Sequence, residues 1–137
     1  MRLLFITLVC LVVGFSEVRA GDEALAGYET CHQMETGSME CLEDLLKQHK
    51  DELDKVEAFV LDKAQAFKAE WQPHHSNDLK IVEHTEASRK AFADYLGAEC
   101  NRVSDGISSH EVIKEQNMIC SISLIKLRLS HLKWYHE

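Results

Sequence analysis

The sequence predicts an all-α protein: an antiparallel bundle of three long helices plus a short N-terminal helix, stapled by two disulfides at one end. Two observations lead to this fold class. Apolar residues recur at steps of three and four along three long stretches, and no stretch alternates as a half-buried strand would. Four cysteines follow the apolar N-terminal segment, and this even number allows two cross-links.

The first twenty residues have the parts of a secretory signal peptide. Arg2 gives a basic start, residues 3–15 form an apolar run, and Ala20 is a small residue that suits cleavage before Gly21. The apolar run is shorter than the ~20 residues that a membrane-spanning helix needs. We therefore expect residues 1–20 to be removed on export to the periplasm or the exterior. Residues 21–137 then form a single helical domain without a membrane span.

The chain is acidic. It has 23 Asp and Glu against 15 Lys and Arg, a formal net charge of −8 that becomes −9 once residues 1–20 are removed. Because such a charge repels phosphates, it argues against nucleic acid as a partner. It favours encounter with a basic partner, although the need to stay in solution would explain the charge equally well.

The first long helix is predicted from Met39 to about Trp71. A short helix over residues 22–31 precedes it, Ser38 is expected to be the N-cap, and Pro73 ends the long helix. Its apolar stripe comprises Leu42, Leu46, His49, Leu53, Val56, Val60, Ala64, Phe67 and Trp71.

Two further long helices follow. The second is predicted from Asp78 to about Cys100, and a loop is expected over residues 101–109. The third is predicted from about Glu111 to Tyr135, with Ser108 and Glu111 forming a capping box. Their apolar faces comprise Leu79, Val82, Phe92 and Leu96 on the second, and Met118, Ile122, Ile125, Leu129 and Leu132 on the third. Additional apolar residues outside this stripe predict that the third helix is the most buried.

The four remaining cysteines are Cys31, Cys41, Cys100 and Cys120. In an exported chain of this size an even number of cysteines predicts disulfides, and their spacings match no zinc-binding pattern. An up-down-up course of the helices brings all four toward one end of the bundle. The local connectivity, Cys31 with Cys41 and Cys100 with Cys120, is favoured, but the other two pairings stay open.

The sequence lacks a catalytic or metal-binding pattern. His110-Glu111 begins like the H-E-x-x-H zinc motif, but Lys114 stands where the second histidine belongs. His74-His75, in a predicted turn, offers too few ligands for a metal site. There is no nucleophile elbow and no glycine-rich phosphate loop. The acidic residues of the first long helix are expected on its solvated surface (Glu40, Glu43, Asp44, Asp51, Glu52 and Asp54). We therefore expect a binding protein without a cofactor, and not an enzyme.

Several motifs in the chain resemble a known family. The run from Ala87 to Cys100 ends in an aromatic residue, a short spacer and A-E-C, and a glycine-containing loop follows. The next helix has the pattern C-x-x-x-L-x-x-x-R-x-x-x-L at Cys120, Leu124, Arg128 and Leu132. With the cysteine pair Cys31 and Cys41, these motifs resemble the LprI-type lysozyme-inhibitor family of small exported helical domains. The chain departs from that family at Phe92, where tryptophan is usual, and at Leu96-Gly97, where Arg-Asp is usual.

The resemblance implies a protein that inhibits a host c-type lysozyme by covering its substrate cleft. The acidic charge fits such a basic partner. The alternative is a non-inhibitory helical protein of the cell envelope that binds another protein or a small ligand. A metal-binding role for the histidines ranks third. The sequence predicts neither the contact residues nor the oligomeric state.

Overall fold

The computed structural model describes residues 29–31, 33 and 38–133. Within these ranges the three long helices are α1 (Ser38–Trp71), α2 (Ile81–Ser104) and α3 (His110–Lys133), and a 3-10 turn, Gln72–His74, follows α1. Residues 29–31 are also helical, and no described residue lies in a strand. The all-α prediction is therefore confirmed. The predicted signal peptide, most of the short N-terminal helix and residues 134–137 lie outside the described residues.

The connection between α1 and α2 is fixed by Gln72. Helix α1 ends at Trp71, and Pro73 lies in the 3-10 turn, as expected of a residue that cannot donate a helix hydrogen bond. The Gln72 side chain accepts a hydrogen bond from the Leu79 backbone N–H at 2.7 Å and donates one to the Asn77 carbonyl at 3.1 Å. These bonds hold the chain in a turn up to Leu79, and helix α2 starts at Ile81.

The bounds of α2 differ from the prediction at both ends. The helix starts three residues after Asp78, and it continues to Ser104 through four residues that were predicted as loop. The buried Ser104 hydroxyl donates to the carbonyl groups of Cys100 and Asn101, which keeps the last turn closed. The helix then stops before Gly106, whose φ of +87° favours glycine.

The predicted capping box of α3 is absent from the described hydrogen bonds. The helix starts at His110, and the backbone N–H of Ile113 donates to the carbonyl of Ser109 at 3.0 Å. Ser109 is thus the residue before the helix, and Ser108 stands one position too early to cap it.

The three long helices all contact one another. Leu42 shares a buried cluster with Met118, and Leu53 shares one with Leu129, so the contacts advance in the same direction along α1 and α3. Helix α2 runs the opposite way, because Lys68 pairs with Glu83 while Glu57 pairs with Arg89. Of the described helices, none is long and apolar enough to cross a membrane.

Helix α3 contributes half of the buried apolar residues in the described part of the chain, more than any other helix. All five residues of its predicted stripe are buried, and Ile125 is fully enclosed. On α1 the prediction of a buried stripe is wrong at the end of the helix, where Phe67 is 45% and Trp71 43% exposed. Helix α3 ends at Lys133 after packing beside the middle of α1, so α2 is the one described helix beside the last turns of α1.

The four cysteines form the two predicted disulfides, Cys31–Cys41 and Cys100–Cys120, each with a Cα–Cα distance of 5.5 Å. Cys31 is buried in one cluster with Leu42, Met118 and Ile122. Since Met118 and Ile122 flank Cys120, both disulfides lie in the part of the molecule that holds the start of α1.

Candidate ligand-binding groove

An open groove of about 630 Å³ lies between the second half of α1, the first half of α2 and the end of α3. Its volume is in the range of small-molecule binding sites. Each helix contributes residues at helical steps, which places them on one face. The apolar lining residues are Val60, Ala64, Phe67, Leu79, Ile81 and Leu132.

The groove exists because α3 ends beside the middle of α1, so the last turns of α1 extend beyond the end of α3. Leu132 is buried at its base, one residue before the end of α3, whereas α1 continues to Trp71. The rings of Phe67 and Trp71 stack at 5.9 Å between centroids and are both partly exposed. Exposed aromatic surface beside a groove is typical of binding sites.

The described polar lining of the groove is basic. Lys63, Lys80 and Arg128 line it together with His84, Thr85 and Ser88, and no acidic residue is among the described lining residues. Lys63 and Lys80 are exposed, on α1 and just before α2. The Lys63 ammonium lies 5.0 Å from the centre of the Phe59 ring. A basic groove in a chain with a net charge of −8 is a local feature and not an average property of the surface.

Arg128 is held at the base of the groove by contacts to both other helices. Its Nε lies 3.3 Å from the carboxylate of Glu57, and its Nη2 donates to the Ser88 hydroxyl at 3.1 Å. Arg89 binds the other oxygen of Glu57 at 3.0 Å. The Arg128 guanidinium also lies over the ring of Phe92 at 5.5 Å. One side of the groove therefore rests on a network that joins all three helices.

Glu57 was not among the residues predicted from the sequence, although its position carries a signal. Position 57 comes four residues after Leu53 and three before Val60, so it falls on the apolar stripe of α1. A charged residue on such a stripe indicates a buried ion pair. Arg128 was noted only as part of the family-like pattern, without a role.

The predicted surface acids of α1 are mostly paired. Glu43 pairs with Lys114, Asp51 with Lys47 at 2.7 Å, Glu52 with Lys133 at 3.0 Å, and Asp54 with Arg89 at 3.5 Å. The hydrogen bond from Lys47 lowers the pKa of Asp51, and the hydrogen bond from Lys133 lowers that of Glu52. These acids serve contacts within the chain, and they form no unpaired acidic face along this part of α1.

The histidines do not form a metal site in the described part of the chain. His74 and His75 are exposed, and no three His, Cys, Asp or Glu side chains there are arranged to hold a metal ion. His49, on the predicted stripe of α1, has its Nδ1 buried without a hydrogen-bond partner, 3.7 Å from the Glu52 carboxylate. The other oxygen of Glu52 accepts a hydrogen bond from Lys133.

No family model, curated protein or solved structure matches this chain.

Proposed function

We propose that this protein is an exported binding protein and that the groove is its ligand site. The observation that carries the proposal is the groove itself, which combines apolar walls from all three helices with basic residues among its lining. Its lining residues sit on regular helices except for Leu79 and Lys80, which lie just before α2, and Arg128 is held by Glu57 and Ser88. Sites on such elements keep their shape without a ligand.

In this proposal residues 1–20 are removed on export, and residues 21–137 form a three-helix bundle stapled at one end by the disulfides. Disulfides persist mainly in proteins outside the reducing cytosol. Both disulfides lie beside the start of α1, while the groove lies beside its end. Cys100–Cys120 would fix α2 relative to α3, Cys31–Cys41 would tie the residues before α1 to its first turn, and the opposite end would stay open to a ligand.

A neutral apolar dye tests whether the groove binds apolar molecules. We expect Nile red to bind one to one, with a rise in fluorescence. Phe67→Ala should weaken binding about tenfold, since the lost ring contact is worth on the order of 1–2 kcal/mol. Tyr95→Ala is the matched control, because Tyr95 is also an exposed aromatic residue but lies outside the groove lining. Equal affinities for both variants and the parent protein would place the dye elsewhere and contradict the proposal.

Lysozyme inhibition is the second candidate function. It is supported by the family-like motifs and by the net charge of −8, which would attract a basic enzyme. The test is a cell-wall lysis assay with the oxidised protein titrated into lysozyme at two salt concentrations. We expect stoichiometric inhibition that weakens with salt, because salt screens charge attraction between exposed groups. Full lysozyme activity at a large molar excess of the protein would reject this candidate.

A further inference from the structure

We propose that the ligand of the groove is a single-chain amphiphile with an anionic head, such as a free fatty acid. This inference rests on the proposed function, because it takes the groove to be a ligand site. It adds the chemical class of the ligand, which follows from how apolar and charged residues are divided within the groove.

The apolar residues define a path for an alkyl chain. Val60, Ala64 and Phe67 on α1 span about 10 Å along the helix axis, and Leu79 and Ile81 face them from the start of α2. Leu132 closes the base. An alkyl chain on this path covers side chains that are otherwise in water, among them Phe67 and the 37% exposed Ile81.

The charged residues define the place of the head group. Arg128 and Arg89 share the buried carboxylate of Glu57, and Arg89 also pairs with Asp54. These four charges cancel, so Arg128 contributes little free charge to the groove. Lys63 and Lys80 are the exposed cations of the lining, and neither forms an ion pair with a described residue. A carboxylate between α1 and the start of α2 would be attracted by both. A neutral or cationic head group gains nothing from these lysines.

Calorimetric titration with three probes of equal chain length separates the parts of this inference. Decanoate, decanol and decylammonium are titrated below their aggregation limits into the full, oxidised protein. We expect decanoate to bind one to one and about tenfold tighter than decanol, since each of two exposed ion pairs contributes up to about 1 kcal/mol. Decylammonium should bind weakest. Equal binding of all three probes would overturn the anionic head while leaving the groove a ligand site, whereas no binding of any probe or of Nile red would reject both.

Charge variants locate the head group. Lys63→Gln with Lys80→Gln should remove the preference for decanoate over decanol and leave decanol binding unchanged. The matched control is Lys50→Gln with Lys55→Gln, which changes the net charge equally at exposed α1 positions outside the groove. A preference lost equally in both double variants would show a general charge effect and overturn the assignment. Decanoate binding to the double variant Trp134→Ala with Tyr135→Ala but not to the parent protein would also overturn the assignment. In that case the chain itself would fill the groove of the parent protein.

Discussion

Glu57 is only 7% exposed, and its two carboxylate oxygens face Arg89 of α2 and Arg128 of α3. Burying a carboxylate costs several kcal/mol unless cations and hydrogen bonds compensate. Here two guanidinium groups compensate, so the network adds little net stability. A different packing of the helices would bury the Glu57 carboxylate without these cations, which is unfavourable. Its effect is specificity: it fixes which faces of the three helices meet.

We expect Glu57→Ala to lower the free energy of unfolding by about 3 kcal/mol. The loss arises because Arg128 is left largely buried without its counter-ion. The half-exposed Arg89 can turn to solvent, which keeps the loss at the low end of the range for buried pairs. Urea unfolding followed by circular dichroism measures it. Glu70→Ala, an exposed glutamate on the same helix, should change stability by less than about 0.5 kcal/mol, and a similar loss in both variants would contradict the argument.

Ile125 is the most enclosed residue of α3, with 0% of its surface exposed. Ile125→Ala removes three buried carbon groups and leaves a cavity, so we expect a loss of about 3–4 kcal/mol. Leu127 lies two residues further along the same helix and is 43% exposed. Leu127→Ala should therefore cost less than about 1 kcal/mol in the same urea experiment. Comparable losses at the two positions would mean that α3 faces the core with another side.

Among the helices, the sequence predicted α3 best and α2 least well. The stripe of α3 from Met118 to Leu132 was predicted residue by residue, and all of it is buried. In helix α2 only Cys100 and Ser104 are buried, so its apolar pattern defined the two ends of the helix poorly. Its true start depends on the hydrogen bond that the Gln72 side chain accepts from the Leu79 backbone N–H, and its true end on the hydroxyl of Ser104. Such individual bonds are not visible in hydrophobic periodicity.

The Cys100–Cys120 disulfide joins the last turns of α2 to the middle of α3 across 20 residues. Closing a loop of that length in the unfolded chain is worth about 3 kcal/mol. We expect Cys100→Ala with Cys120→Ala to lower the free energy of unfolding by that amount while α1 and α3 keep their helical signal. Urea unfolding under oxidising conditions tests this expectation. A double variant as stable as the parent would show that packing alone fixes the α2–α3 connection.

The groove shows what the sequence could not predict about the whole molecule. Each of its residues lies on a helix that was predicted or in the connection before α2, but the groove depends on how far the helices slide past one another. That register places Leu132 beside Val60 and leaves Phe67 without a partner from α3. Phe67 and Trp71 were predicted as part of a buried stripe because the periodicity of one helix contains no information on where its neighbour ends.

The charges of the molecule set its response to pH. Hydrogen bonds from lysine or arginine lower the pKa of Asp51, Glu52 and Glu99, and the backbone N–H of Glu83, followed by Lys68, lowers the pKa of Glu83. A carboxyl whose pKa is lower in the folded state contributes stability above its unfolded pKa and loses it as the pH falls through its folded pKa. We therefore expect stability to be level near neutral pH and to decline below about pH 4.5, where free carboxyls titrate.

Glu52 offers the clearest test of this decline, because its partner Lys133 ties the end of α3 to α1. Glu52→Gln removes the carboxylate but keeps the shape of the side chain, so it should lower the urea midpoint at pH 7. As the pH falls through the lowered pKa of Glu52, the parent carboxyl becomes protonated, and the urea midpoints of parent and variant should converge. High salt at pH 7 should reduce the same difference in midpoint, because the pair is partly exposed and therefore screened. A difference that stays the same size at every pH down to acid unfolding would mean that Glu52 stabilises the fold by packing, and the acid decline would then have to come from the other carboxylates.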